Sequence, residues 1–130
     1  MKKALFLSLC VLLLSGCNEE KTAFESAVLE NMQQDKDLKD YKIDAEYMAS
    51  CVIDMTSGKM PGVTSLDPRR APYYDAYTKL IHMNDSQNPE VTLTETAKVF
   101  GSEKEAMKAY LTYSESVMNC ITAIVAEGEA

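Results

Sequence analysis

An all-α fold, a small helical bundle of about four main helices, is predicted for residues 22–130 of this 130-residue chain. Three observations predict it. Apolar residues beyond Thr22 recur at steps of three and four, the spacing that lines one face of a helix. Glycine and proline fall between those runs rather than within them. The alternation that marks a half-buried strand occurs only briefly, over Glu90 to Thr94.

The first helix is expected over Thr22 to Gln34, where Phe24, Ala27, Val28 and Met32 share a face. Asp35 to Lys42 is strongly polar and reads as a linker. Asp44 then suits the N-cap of a second helix ending near Ser57, because a carboxylate there accepts free backbone N–H groups. Tyr47, Met48, Cys51, Val52 and Met55 form its apolar stripe, and Gly58 fits a left-handed stop. Gly and Pro mark a loop from Lys59 to Leu66. A third helix opens at Asp67-Pro68 or later at Pro72, since proline is suited to a first helical turn. Its face holds Tyr73, Tyr77, Leu80 and Ile81, and Asn84 to Pro89 end it.

Thr94 to Phe100 suggests a short helix closed by Gly101. Ser102 and Glu105 have capping-box spacing, and the longest helix follows, Glu103 to about Glu127. Met107, Tyr110/Leu111, Ser114, Val117/Met118, Ile121 and Ile124/Val125 form its seam.

The first 16 residues have a different character. Lys2 and Lys3 precede an apolar run, Ala4 to Leu14, and the small residues Ser15 and Gly16 follow. That is the layout of a cleaved export signal. The run is too short for a membrane-spanning helix, which needs about 20 residues. Leu14-Ser15-Gly16-Cys17 resembles the lipobox of bacterial lipoproteins. The resemblance covers the first 17 residues only. It implies cleavage before Cys17, a diacylglycerol thioether on that thiol and usually an N-acyl chain, so the only attached group expected is a covalent lipid on Cys17. Asn18 follows in place of the aspartate that retains many enterobacterial lipoproteins at the inner membrane, which implies outer-membrane sorting. Residues 17–21 would be a short lipidated tether, about 15–20 Å if extended. Several acyl chains on one residue anchor stably, each buried methylene adding about 0.8 kcal/mol.

Cleavage would leave 114 of the 130 residues, enough for one domain. Loss of Lys2 and Lys3 takes the net charge from −7 to −9. An acidic body disfavours nucleic acid and anionic headgroups. Cys10 lies in the discarded run, and Cys17 is the expected lipid site. Cys51 and Cys120 remain, and an even pair in an oxidising envelope favours a disulfide between the second helix and the last. Two free core thiols and a redox pair are the rival readings. The bridge would contribute roughly 4 kcal/mol through its loop of about 70 residues.

No residue pattern announces catalysis. There is no Gly-x-Ser-x-Gly motif, His82 is the lone histidine, and no carboxylate pair suggests acid–base work. Cys51 and Cys120 are too widely spaced to suggest a Cys-x-x-Cys oxidoreductase. The methionines and His82 lack the spacing of a copper site and suit core filling better. No catalytic residue, metal ligand or cofactor is therefore assigned. The most suggestive stretch is Asp67 to Tyr77, DPRRAPYYDAY, because Arg and Tyr are enriched at protein-binding hot spots. Arg69, Arg70 and Tyr74 are expected outside, with Tyr73 and Tyr77 facing the core; a plain capped helix start is the structural alternative.

The functional expectation is a non-enzymatic lipoprotein at the outer membrane, facing the periplasm. It would bind an envelope protein as an accessory or pilot-like factor. The alternative is an inhibitor or immunity lipoprotein that neutralises a periplasmic toxin or lytic enzyme. Its negative charge would then speed encounter with a basic target. An enzyme or small-ligand carrier would require a deep pocket with converging polar groups.

Overall fold

The computed structural model describes residues 16–129, and the side chains of residues 19–128. The expected export signal lies outside the described residues except for Gly16, and so does the side chain of Cys17. Helices make up 81% of the structure, in six α-helices, and no strand occurs among the described residues. The all-α expectation is met.

Helix α1 spans Gly16–Gln34 and buries Phe24, Ala27, Val28 and Met32, the four residues its periodicity indicated. It starts six residues ahead of Thr22. Nothing between Cys17 and Lys21 breaks a helix, Glu19 sits favourably in the first turn, and Lys21 pairs with Glu25 one turn on at 3.0 Å. The expected tether is thus helical backbone, which advances about 1.5 Å per residue.

The polar stretch after α1 holds a one-turn helix, α2, Lys36–Asp40. The Asp35 carboxylate caps it by accepting from the backbone N–H of Asp37 and Leu38, while buried Leu38 pins it to the core. Helix α3, Ala45–Ser57, is capped by Asp44 as expected, through a 2.8 Å bond from the Tyr47 N–H. Its buried line is Met48, Ala49, Val52 and Thr56. The stripe is therefore rotated from the expected one, and Tyr47 and Met55 are exposed. Gly58 is right-handed, with φ −61°, and does not make the left-handed stop. The chain tightens there through bonds from Lys59 N–H to Thr56 O and from Met60 N–H to Ser57 O. Its reversal falls later, at Gly62 with φ +93°.

Both expected openings of the third helix are used. Asp67 caps a 3-10 turn, Pro68–Arg70, which runs into α4, Ala71–Ile81, with Pro72 in its first turn. Helix α5, Pro89–Phe100, begins five residues before Thr94 and absorbs the brief alternation at Glu90 to Thr94. Pro89 is tolerated at its start, and the Thr94 and Thr96 hydroxyls donate back to Glu90 O and Thr92 O. Gly101, at φ +104°, ends α5 in the expected left-handed conformation. The Ser102 hydroxyl then accepts the Glu105 N–H at 3.1 Å and opens α6, Glu103–Glu129.

Helix α1 packs chiefly on α4 and α3, α6 on α5 and α3, and α4 on α5. Phe24 packs with tilted rings against Tyr74 and Tyr77, centroids 5.4 and 6.2 Å away, and Tyr77 meets Phe100 edge-on at 5.4 Å. That aromatic chain joins α1, α4 and α5. Cys51 and Cys120 form a disulfide with Cα atoms 6.0 Å apart, joining α3 to α6. The inner line of α6 is Ala106, Ala109, Tyr113, Ser116 and Cys120. Of the expected seam, Met107, Tyr110, Val117, Ile121 and Ile124 are half-buried against the core, whereas Leu111 and Met118 are exposed.

Tyr113 donates its hydroxyl to Asn31 Oδ1 at 2.8 Å, tying α6 to α1. Burial raises its pKa far above the ordinary phenol value, and the neighbouring Tyr110 and Asp35 add to the shift. Burial raises Tyr77 as well. Unfolded tyrosines ionise near pH 10, so above that pH the unfolded chain loses protons that the native chain keeps. Stability is expected to be unaffected by these groups below about pH 10 and to fall as pH rises further. Tyr113→Phe should flatten that alkaline decline in a series of urea midpoints; an unchanged slope would show that Tyr113 does not carry it.

Candidate functional site

DPRRAPYYDAY forms the inside of a site whose outside is the preceding loop, residues 58–67. Asp67 is the N-cap of the 3-10 turn, accepting the Arg69 N–H at 3.0 Å. Its carboxylate also accepts from Arg69 Nε at 3.0 Å and Nη2 at 2.7 Å. Those side-chain bonds, then the backbone bond, hold its carboxyl well below the usual carboxylate range, and the same pairing raises the Arg69 guanidinium. The Arg69 side chain remains mostly in solvent.

Arg70 and Tyr74 correct the expectation that both lie outside. Arg70 is buried at 8% exposure and Tyr74 at 2%. A guanidinium can be buried here because its fork meets two backbone acceptors: Nε donates to Pro61 O and Nη2 to Gly62 O, each at 3.0 Å. The Tyr74 hydroxyl donates to Ser65 O at 3.1 Å while its ring packs on Phe24. Tyr77 is buried as expected, whereas Tyr73 is half-buried and packs edge-on against Phe100. Of the three expected contact residues, only Arg69 is on the surface.

The two buried side chains brace the loop. Arg70 holds carbonyls 61 and 62, Tyr74 holds carbonyl 65, and the Asp67 N–H closes on Thr64 O at 3.1 Å. Buried Met60 anchors the start. Gly62 is required twice over, by its positive φ and because a Cβ there would lie 2.5 Å from the Asp67 carboxylate. The braced loop directs two apolar side chains outward, Val63 at 91% exposure and Leu66 at 64%. Sequence reading passed over this pair, which could have been noticed as two branched apolar residues among Gly, Pro, Ser and Thr.

Apolar groups on a loop ordered in advance would lose little further conformational freedom if they were covered. His82 is exposed and Met83 buried, and no group of three or more His, Cys, Asp or Glu side chains among the described residues could hold a metal ion. No described helix is long and apolar enough to cross a membrane. In comparisons with known proteins, the chain matches no family model, no curated protein and no solved structure.

Proposed function

We propose that the mature chain is a small lipoprotein, anchored through Cys17 in the outer membrane and facing the periplasm, that binds an envelope protein without catalysing a reaction. The loop from Lys59 to Asp67 is its docking element, with Val63 and Leu66 entering an apolar depression on the partner. One observation carries this reading: a loop braced from within that exposes two branched apolar side chains. Isolated exposed apolar residues are ordinary on protein surfaces, but mobile loops gain little from internal bracing. Arg69, exposed beside them and fixed by Asp67, adds a polar rim.

The test is crosslinking in intact cells in both growth phases, with a photoreactive side chain at Thr64. A specific adduct is expected. Val63→Ser with Leu66→Ser should cut its yield by about ten-fold or more, as loss of interface anchors does. Both sites are in solvent, so the unfolding free energy from a urea titration should stay within about 0.5 kcal/mol of the parent. Absence of any adduct in both phases would sink the proposal.

A second reading, inhibition of a basic toxin or lytic enzyme, is favoured by the acidic cleft between α1 and α3. Glu25, Glu46 and Asp54 border Leu29, Ala49 and Ile53 there. Binding through it should weaken steeply with salt, whereas docking through Val63 and Leu66 should not.

A further inference from the structure

Helix α6 has two apolar lines, and the fold covers one of them. Met107, Leu111, Ser114 and Met118 step by four, three and four along the second, the spacing of a coiled-coil seam. Leu111 is 54% exposed and Met118 60%, Ser114 is half-buried, and Met107 is half-buried with one side against the core. Lys108 and Glu115 flank this line one heptad apart, and both are exposed.

We propose that the second line of α6 seats the same line of a second copy of the chain, antiparallel, in a two-fold symmetric dimer. Charge complementarity identifies the occupant. In a parallel pair the heptad position that Lys108 and Glu115 share falls on opposite sides of the two copies, so the two do not meet. Antiparallel alignment about a point between Leu111 and Ser114 instead brings Lys108 of each copy beside Glu115 of the other, twice over. It also sets Met107 opposite Met118. One self-complementary patch meeting itself is the isologous contact that closes a dimer. The Lys108 ammonium reaches Glu105 of its own helix only at 3.9 Å and keeps 73% of its side-chain exposure, so it is available to a neighbour. Oppositely directed macrodipoles add to the preference. Because the seam is short and includes a serine, association is weak in dilute solution and rises where copies are concentrated on one surface. The dimer uses neither Val63 nor Leu66 and stands independently of the docking loop.

The test uses the full-length chain in a bacterial envelope and a short bismaleimide. Leu111→Cys, beside the two-fold axis, is expected to give a band of twice the chain's mass, well above both the parent chain and Glu30→Cys on α1. Lys108→Glu and Glu115→Lys, each added to Leu111→Cys, should lower that band by about five-fold, and the two together should restore it. Restoration is specific to unlike charges meeting across copies, since general damage to the helix would accumulate. A Leu111→Cys band no stronger than that of Glu30→Cys overturns the proposal. So does a double reversal as poor as either single change, or an adduct of a different mass.

Discussion

Replacing Cys51 and Cys120 together with alanine is expected to lower the stability of the native chain by about 4 kcal/mol. The bridge spans 69 positions in sequence, and severing it returns to the unfolded chain the freedom of a loop of that length. For a domain of this size the loss corresponds to a fall in melting temperature of roughly 15 °C. Alanine is the appropriate replacement at Cys120, which has no exposure to solvent, because serine would bury a hydroxyl. Reduction of the parent chain should reproduce most of the shift, as the cross-link itself is then what is lost. A double variant that melts within about 3 °C of the parent would mean that α3 and α6 hold together by packing alone. The inner line of α6 makes that outcome unexpected. It is built from Ala106, Ala109, Ser116 and Cys120 with Tyr113 the one large residue, and the larger Val117, Ile121 and Ile124 beside it are only half-buried.

Arg70→Ala is expected to cost about 3 kcal/mol, the second largest effect. The substitution removes both guanidinium bonds and leaves Pro61 O and Gly62 O without the donors that hold them. Bonds from a charged donor contribute about 1.5–3 kcal/mol each, and loss of the buried aliphatic stem adds to the cost. Lysine should not restore the parent, because a single ammonium cannot reproduce the planar fork that spans two successive carbonyls. Two measurements separate the consequences. The urea midpoint reports the global loss, and amide exchange over residues 59–67 reports the loop. Faster exchange in that loop should be accompanied by a weaker Thr64 adduct, even with Val63 and Leu66 intact. Unchanged exchange would show that the loop is ordered without Arg70.

The readable parts of this fold were those with a local physical signature. The face of α1, the Asp44 cap, the Gly101 stop, the Ser102 cap and the cysteine pairing each rest on residues whose chemistry acts within a turn or on an elimination among four thiols. The seam of α6 was only partly placed, for a different reason. Its apolar residues cover nearly half the helix circumference, so periodicity sets the pitch of the stripe without saying which edge turns inward. The small residues beside it decided the matter, because they allow α3 and α5 to approach closely while carrying little hydrophobic weight. Helix α2 was invisible for a similar reason: one buried leucine, Leu38, has no period. At DPRRAPYYDAY composition suggested a contact surface, and Arg70 and Tyr74 proved to be buried supports of the preceding loop. An arginine's exposure cannot be read from its own position when the acceptors that allow its burial are carbonyls eight and nine residues earlier.

Helix α1 continues through the backbone of Cys17, and this alters what a lipid at that residue would do mechanically. An extended tether would act as a swivel, letting the body present any side to its surroundings. A helix that enters the bundle directly and buries Phe24 two turns later acts as a stiff post. Movement of the anchor would then rotate the whole body as one piece, and the height of Val63 and Leu66 above the bilayer would be set by geometry. Two glycines placed at Glu19 and Glu20 would turn the post back into a swivel while leaving every core contact in place.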